Sequence, residues 1–352
     1  MTPTRSSPPS TRPSPNSVDR VAAAERYLPA ARRALQRFPI APVDLTPVWV
    51  SENVTFRVSD ADGGGDYVLR LHRPGYHDLA ALNSERQWTA ALTEAGIGVP
   101  VGLQAIDGAW YVEVAADEAG ETTEIRQAGM TRWTHGEVLA EQLRPASAGE
   151  AEGRFHQLGA VVAVLHSQAG GWTPPLGFRR HALDSDGLMG AAPRWGRFWE
   201  SPRLSASEQS LLGATRRRLA AVLDGLARDP SRYSLIHADL HPGNVLVSGD
   251  RLTVIDFDDA AFGWHAYDIA VALFNEQPSA NFRAIQAAFL AGYRSARALD
   301  PAIEALIPMF LLIRGLAVIG WLYQRPEIDP GSFLASRKAG ILRQAEGFEP
   351  PL

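Results

Sequence analysis

One stretch of the chain, Tyr233 to Asp259, constrains the fold more than any other. It reads YSLIHADLHPGNVLVSGDRLTVIDFDD, in which a short apolar run precedes the polar loop HADLHPGN. Two further apolar runs, Asn244–Val247 and Leu252–Ile255, flank a Ser-Gly-Asp turn. Apolar runs of this length, separated by turn residues, predict a strand, a loop and a β-hairpin.

The predicted hairpin brings polar side chains together. If the turn occupies residues 248–250, Asn244 and Asp256 lie at the same open end of two antiparallel strands, where cross-strand neighbours are about 5 Å apart. An amide oxygen beside a carboxylate suits Mg²⁺, which takes few protein ligands and completes its shell with water and substrate phosphates. Asp239 lies five residues before Asn244 on the loop, within reach of the same place, and can act as a base.

An Asp, an Asn five residues later and an Asp at the end of a hairpin follow the arrangement of protein-kinase catalytic loops. The segment HADLHPGNVLV…LTVIDFDDA resembles the phosphotransfer motif of the aminoglycoside phosphotransferase and choline kinase-like superfamily. Within that superfamily the chain most resembles bacterial stress response kinase A and type II homoserine kinases. The resemblance implies an α+β, bilobal, protein-kinase-like fold. Its N-lobe would hold a five-stranded antiparallel sheet plus helices, and its larger C-lobe would be mainly helical.

The resemblance also sets the expected domain organisation. Residues 19–134 are predicted to form the nucleotide-binding N-lobe, and residues 135–352 the C-lobe with the catalytic loop and the acceptor site. Residues 1–18 precede both lobes and are rich in Pro, Ser and Thr. Such a composition lacks the apolar residues needed for a core, so this segment is predicted to be a disordered tail.

The resemblance implies transfer of the γ-phosphate of ATP, with Mg²⁺, to a hydroxyl group of a small molecule such as an aminoglycoside, an amino alcohol or a homoserine-like compound. Asp239 would orient the acceptor hydroxyl and take its proton, and Asn244 and Asp256 would hold the metal. Arg70 stands where kinases have a lysine on the third strand, and it would hold the α- and β-phosphates. Glu85, on the following predicted helix, is the expected partner of Arg70.

Two further segments resemble nucleotide-binding elements of the superfamily. SENVTFRV takes the place of the glycine-rich loop, so Ser51 and Asn53 are candidate phosphate contacts. AGMTRW resembles the hinge, where backbone groups would meet the adenine edge near Met130 and Arg132. An aspartate of the superfamily that supports the catalytic loop corresponds to Asp268.

Composition and charge exclude several classes of partner and chemistry. A formal net charge of −5 gives no basic footprint for nucleic acid. The chain has no cysteine, which excludes disulfides and thiolate chemistry and suits the cytoplasm. The apolar run Ala305–Tyr323 is long enough for a membrane span, but Arg314 lies at its centre and Pro308 lies inside it. A buried helix is therefore predicted there, with no membrane as partner.

Hydrophobic periodicity and turn residues predict the remaining elements. Predicted helices cover residues 21–38, 77–92, 152–168, 205–228, 281–297, 301–324 and 331–346. Predicted strands cover Trp49–Val58, Tyr67–Leu71, Val99–Val114 and Thr123–Trp133, with a turn at Asp117–Glu121.

Four alternatives stay open at the level of sequence. His237, Asp239 and His241 alternate, as ligands of a metal hydrolase do. The loop is also compatible with polar residues that only satisfy one another. Protein Ser/Thr kinase activity and a non-catalytic, nucleotide-binding regulator remain possible as well, although the short stretch from Asp256 to the next helix near Ala266 favours a small-molecule acceptor. The sequence does not predict the oligomeric state.

Overall fold

The computed structural model describes five stretches of the chain, residues 24–50, 53–61, 65–116, 124–325 and 332–349. The predicted tail, the turn at Asp117–Glu121 and the candidate phosphate contact Ser51 lie outside these residues.

The described residues divide into two units, each built from two separate segments of the chain. Unit 1 comprises the described residues of Met1–Leu79 together with Gly102–Trp133. Unit 2 comprises Ala80–Val101 and the described residues of Thr134–Leu352. The lobe boundaries expected from the resemblance, at 19–134 and 135–352, stay a prediction.

Unit 1 is built on an antiparallel sheet preceded by the helix α1 (Leu28–Leu35). The strands are β1 (Pro42–Val50), β2 (Val54–Asp60), β3 (Asp66–Leu71), β4 (Gly102–Leu103), β5 (Tyr111–Ala115) and β6 (Ile125–Arg132). They are ordered β1-β2-β3-β6, and both β4 and β5 pair with β6. Alternate residues of β2 and β3 are buried against α1, which is the pattern of a sheet with one covered face.

Two strand predictions in unit 1 are wrong in their bounds. The predicted strand Val99–Val114 is two short strands, because the chain turns at Gly108, whose φ of +83° lies in the region that favours glycine. The sheet therefore has six strands where five were predicted. The predicted strand Trp49–Val58 divides between the end of β1 and β2, with Val50 opposite Val54. β2 pairs antiparallel with β3.

Unit 2 contains α2 (Leu79–Glu94) and a larger set of later helices. These are α3 (Leu139–Leu143), α4 (Ala148–Gly171), α5 (Ser185–Met189), α6 (Ala206–Gly225), α7 (His265–Phe274), α8 (Phe282–Ala296), α9 (Pro301–Gln324) and α10 (Ser332–Glu346). A capping box begins α6, where the side chains of Ser205 and Glu208 each bond the other's backbone amide. The helical patterns found in the sequence after residue 150 are confirmed to within a few residues.

Two small sheets in unit 2 carry the central stretch. Their strands are β7 (Glu137–Val138), β8 (Ala182–Leu183), β9 (Tyr233–Ile236), β10 (Val245–Ser248), β11 (Arg251–Val254) and β12 (Ala261–Trp264). One sheet is ordered β11-β10-β7, and the other is ordered β8-β12-β9. The predicted strand, loop and hairpin are all present, since β9 leads into the polar loop and β10 pairs antiparallel with β11.

Close helix packing forms the core of unit 2. α4 and α8 approach so closely that a Cβ on Gly292 would lie 1.8 Å from the carbonyl oxygen of His156. Among the described helices, α9 alone is long and apolar enough to cross a membrane by length and composition, but 67% of its most apolar window is buried inside the protein. The predicted buried helix at 301–324 is thus confirmed.

Candidate active site

Asp239 is the centre of the polar loop that follows β9. Its Oδ2 accepts a hydrogen bond of 3.1 Å from Nδ2 of Asn244, and its backbone oxygen accepts a second one of 3.0 Å from the same amide. The Nε2 atom of His241 lies 3.5 Å from the same Oδ2. The side chain of Asp239 is 25% exposed, so it is held by its neighbours and still reachable from outside.

Asp268, in the first turn of α7, binds the backbone of the polar loop that follows β9. Its two carboxylate oxygens accept hydrogen bonds from the amides of His237 at 2.9 Å and Ala238 at 2.7 Å. Ala238 has φ +67°, a region that costs a non-glycine residue roughly 1–2 kcal/mol. Asp268 stabilises this backbone directly before Asp239, and its predicted supporting role is confirmed.

Asn244 and Asp256 flank the hairpin as predicted. Val245 pairs with Val254, so the residues just outside this pair come next to each other. The amide of Ile255 donates to the oxygen of Asn244 at 3.0 Å, which extends the ladder to the residue before Asp256. Asp256 itself has φ +66°. Among the described residues, it and Ala238 are the non-glycine residues with positive φ, and strained backbone of this kind collects at functional sites.

A further partner of Asp239 comes from a distant helix. Nη2 of Arg314, in the middle of α9, donates to Oδ1 of Asp239 at 2.5 Å. In the sequence, Arg314 stands out only as a charge inside an apolar helix. That feature is the signal that it needs an anionic partner, because a buried unpaired charge is very costly. The identity of the partner has no local signature, since the two residues are 75 positions apart.

The charges around Asp239 determine its protonation. Burial alone raises the pKa of Asp239, but the guanidinium of Arg314 and then His241 outweigh burial and hold this pKa well below its usual range. Burial lowers the pKa of Arg314, yet Asp239 and then Tyr267 raise it above its ordinary value. The pair is therefore a carboxylate and a guanidinium at any physiological pH.

His237 is placed so that it cannot bind a metal ion. Its ring is fully buried, Nε2 lies 3.0 Å from the oxygen of Ile255, and Nδ1 accepts from the amide of Asp239 at 3.3 Å. Both ring nitrogens are therefore engaged with the backbone. This arrangement removes the metal-hydrolase interpretation of His237, Asp239 and His241.

The candidate nucleotide contacts that the structure describes lie in unit 1, and Glu85 lies in unit 2. Arg70, on β3, pairs across the sheet with Thr55 and Gly129. Asn53 accepts from the amide of Arg73 at 2.9 Å through its Oδ1.

Met130 and Arg132 both lie on β6. The side chain of Met130 is fully buried in the core of unit 1, so a contact with a ligand there would come from its backbone. The guanidinium of Arg132 lies 5.5 Å from the centre of the Tyr67 ring. Glu85 lies on α2 in unit 2, where it is buried 3.9 Å from Arg180. The pairing of Glu85 with Arg70 stays a prediction, as do the nucleotide contacts.

An antiparallel sheet, a mainly helical second unit and a kinase-type Asp, Asn and Asp together define a phosphotransferase with a protein-kinase-like fold. The chain belongs to the phosphotransferase enzyme family, whose model matches residues 44–299. Several of its relatives are named kinases, and membership of a kinase family implies the use of ATP.

Three known proteins illustrate the similarity. The amicoumacin kinase of Bacillus subtilis is 24% identical over 298 residues, which is 81% of this chain and 82% of the relative. A homoserine kinase of Brucella ovis is 36% identical over 285 residues, 78% of this chain and 77% of the relative. The solved structure of a microcompartment-associated aminopropanol kinase is 32% identical, has a TM-score of 0.75, and covers 90% of this chain and 95% of its own. All three names are those of kinases, which agrees with the family.

Proposed function

We propose that the chain transfers the γ-phosphate of ATP, in the presence of Mg²⁺, to a hydroxyl group of a small amine-bearing molecule. The observation that carries this proposal is the grouping at the catalytic loop. Asp239 is bonded to Asn244, and Asn244 is bonded through its backbone to the residue before Asp256. This is the set of residue types that kinases use to orient a hydroxyl and hold the phosphates.

Asp239 would act mainly by orientation. Its low pKa makes it a weak base in the resting site, and the hydroxyl proton would be accepted only as the oxygen–phosphorus bond forms. Such late proton transfer suits phosphoryl transfer, whose transition state is loose and needs positioning more than basicity. The bonds from Asn244 and Arg314 fix the carboxylate in one orientation, which reduces the entropy lost when the acceptor binds.

Asn244 and Asp256 would hold Mg²⁺. The amide nitrogen of Asn244 is committed to Asp239, which leaves its side-chain oxygen as the atom for a metal. An amide oxygen and a carboxylate oxygen are both hard ligands of the kind Mg²⁺ prefers, so the donor set fits this ion. Bound there, the ion would neutralise charge on the phosphate oxygens.

The nucleotide contacts are proposed on the family pattern. Arg70 would bind the α- and β-phosphates, and Ser51 and Asn53 would offer donors to phosphate. The backbone near Met130 and Arg132 would meet the adenine.

The acceptor is proposed from the relatives' names and from local charge. Aminopropanol and homoserine each combine an amine with a hydroxyl group, and kinases named for them are 32% and 36% identical to this chain. Asp258 and Asp259, two and three residues after Asp256, would attract such an amine. We accordingly propose a small amino alcohol or a homoserine-like acceptor, phosphorylated in the cytoplasm.

The test is a screen of the purified protein with Mg·ATP against amino alcohols, homoserine, aminoglycosides, sugars without an amine and a generic protein substrate, with ADP release as the readout. One small amine-bearing acceptor should stimulate ADP release. The Asp239→Asn variant should lose about 10²–10⁴-fold of this rate, the usual contribution of a positioned acid–base group, while ATP still raises its melting temperature. Stimulation by protein alone would overturn the acceptor class, and near-normal turnover by Asp239→Asn would overturn the role of Asp239.

A further inference from the structure

Arg180 makes a set of contacts that the proposed chemistry does not use. It lies in the irregular segment between α4 and β8, and its side chain is only 1% exposed. The guanidinium donates to three backbone oxygens just after Asp256, those of Ala260 at 2.6 Å, Phe257 at 2.9 Å and Asp258 at 2.6 Å. One side chain thus binds most of the carbonyl groups of a single short turn.

The same guanidinium also reaches α2. Its Nη1 donates to the oxygen of Ala81 at 3.3 Å and lies 3.9 Å from Oε2 of Glu85. Glu85 is buried, and within the described part of the chain Oε2 has no hydrogen bond. The buried positive charge of Arg180 thereby has an anion nearby, and the turn after Asp256 is tied to the helix that carries Glu85.

The turn itself is a short 3₁₀ helix, Phe257–Asp259, and Asp256 precedes it with φ +66°. A left-handed residue at this point needs support, because the conformation is unfavourable for any side chain with a Cβ. The ring of Phe257 is buried between Trp88, at 5.5 Å, and His237, at 4.6 Å between ring centres. The packing of Phe257 fixes the turn through its side chain, and Arg180 fixes the backbone on either side of it.

We propose that Arg180 is a positioning residue, which fixes the turn 257–260 and thereby the direction in which Asp256 presents its carboxylate to the metal. A charged planar donor with five N–H groups suits this task, since it can hold several carbonyl oxygens in fixed directions at once. A lysine, with one compact ammonium group, cannot do so. The inference rests on the proposed role of Asp256 as a metal ligand.

The chain offers a matched control in Arg216. This arginine also donates to backbone oxygens, those of Met189 at 2.7 Å and Gly190 at 3.0 Å, which lie outside the turn 257–260. Loss of Arg216 should cost stability without affecting the metal. The comparison therefore separates a local positioning role from the general loss of an arginine that binds backbone oxygens.

The experiment compares wild type with Arg180→Lys, Arg180→Met and Arg216→Met. The readouts are titration of Mn²⁺ in the presence of a non-hydrolysable ATP analogue, and backbone hydrogen exchange of the peptide that spans residues 256–261. Both Arg180 variants should bind the metal about 10–100-fold more weakly, as is typical when a group that orients a ligand is lost. Exchange should rise in that peptide and stay unchanged elsewhere. Arg216→Met should keep wild-type metal affinity.

Each other outcome is decisive. Unchanged metal affinity and unchanged exchange in folded Arg180→Lys would overturn the proposal. Should Arg180→Met fail to fold, the lysine variant still provides the test. If Arg216→Met weakened Mn²⁺ binding as much as the Arg180 variants do, Arg180 would have only a general packing role and the proposal would be overturned. A wild-type protein that binds neither Mn²⁺ nor nucleotide would instead overturn the proposed function, which is a separate failure.

Discussion

At the scale of single residues, the ion pair of Arg314 with Asp239 sets the charge at the centre of the candidate site. The two side chains are 15% and 25% exposed, so water only partly screens their interaction. A guanidinium at 2.5 Å keeps the carboxylate ionised and turned in one direction. In the proposed reaction this carboxylate would be a weak base that is always ionised, which suits a reaction that depends on positioning.

Replacement of Arg314 tests this view. Without the guanidinium, burial dominates and raises the pKa of Asp239, so the acidic limb of the pH–rate profile should move to higher pH in Arg314→Met. In the wild-type protein the depressed pKa contributes stability that is present above the unfolded pKa of about 3.9 and is lost as pH falls through the lower folded value. At neutral pH the variant should therefore lose stability, by about 3 kcal/mol for a broken buried pair.

The measurements for Arg314 are kcat between pH 5 and 9 and urea unfolding at pH 7. Arg314→Lys keeps the positive charge and serves as the control. The acidic limb of its pH–rate profile should lie close to that of the wild type. An unchanged acidic limb in Arg314→Met would contradict the assigned effect on Asp239.

At the scale of elements, α7 acts as a support for the catalytic loop. Asp268 receives two backbone amides, and Nε2 of His166 lies 3.3 Å from its Oδ2. Burial raises the pKa of Asp268, and the nearby ring of His237 together with these two amides opposes that effect. The carboxylate thus joins α7 and α4 to the strained backbone at Ala238.

The Asp268→Asn variant replaces one acceptor oxygen with a donor. An amide N–H of the loop would then face another donor, and an unsatisfied buried group costs about 1–3 kcal/mol. Since the loop carries Asp239, part of this cost should appear as a roughly 10-fold loss of kcat, equivalent to about 1.4 kcal/mol, with little change in the KM for ATP. The exposed Asp229, which bonds the amide of Ser231, gives the control Asp229→Asn. A wild-type kcat in Asp268→Asn would show that the loop holds its shape without the carboxylate.

The parts of the site that the sequence predicts depend on contacts between residues close in sequence, and the parts that it does not predict depend on contacts between distant residues. The meeting of Asn244 and Asp256 follows from a hairpin whose two strands are four residues each, so local turn chemistry determines it. The division of the predicted strand 99–114 could have been predicted, because Asp107-Gly108 within it is a dipeptide typical of turns between strands.

The partners of Arg314 and Arg180 could not be predicted from the sequence, for another reason. Arg314 acts on a residue 75 positions away, and Arg180 acts on residues 77 to 80 positions away. Partners at such a separation are chosen by the packing of whole helices, which the sequence pattern does not encode locally.

At the scale of the whole molecule, a buried pair of histidines links stability to pH. His166 and His265 stack with ring centres 4.1 Å apart, and burial lowers the pKa of both well below the ordinary value. His166 lies 2.9 Å from the hydroxyl of Tyr293, and His265 lies 2.8 Å from that of Ser234, so the neutral rings join α4, α8, β9 and α7. Protonation of either ring would place a charge in the core.

The resulting pH dependence has a definite sign. The unfolded chain binds protons at these histidines below pH about 6.5 while the folded chain does not, so the free energy of unfolding should fall as pH drops below that value, by up to about 1.4 kcal/mol per pH unit for each ring. Urea midpoints at pH 7.5, 6.5 and 5.5 measure this slope. The His265→Gln variant should be less stable than the wild type at pH 7.5, and its stability should depend on pH with about half the wild-type slope. The control is His156→Gln, at an exposed position, which should keep the wild-type slope. A wild-type urea midpoint that stays constant from pH 7.5 to 5.5 would contradict this prediction. It would mean that the two rings are not held neutral and that the buried network carries a charge shared with Asp268.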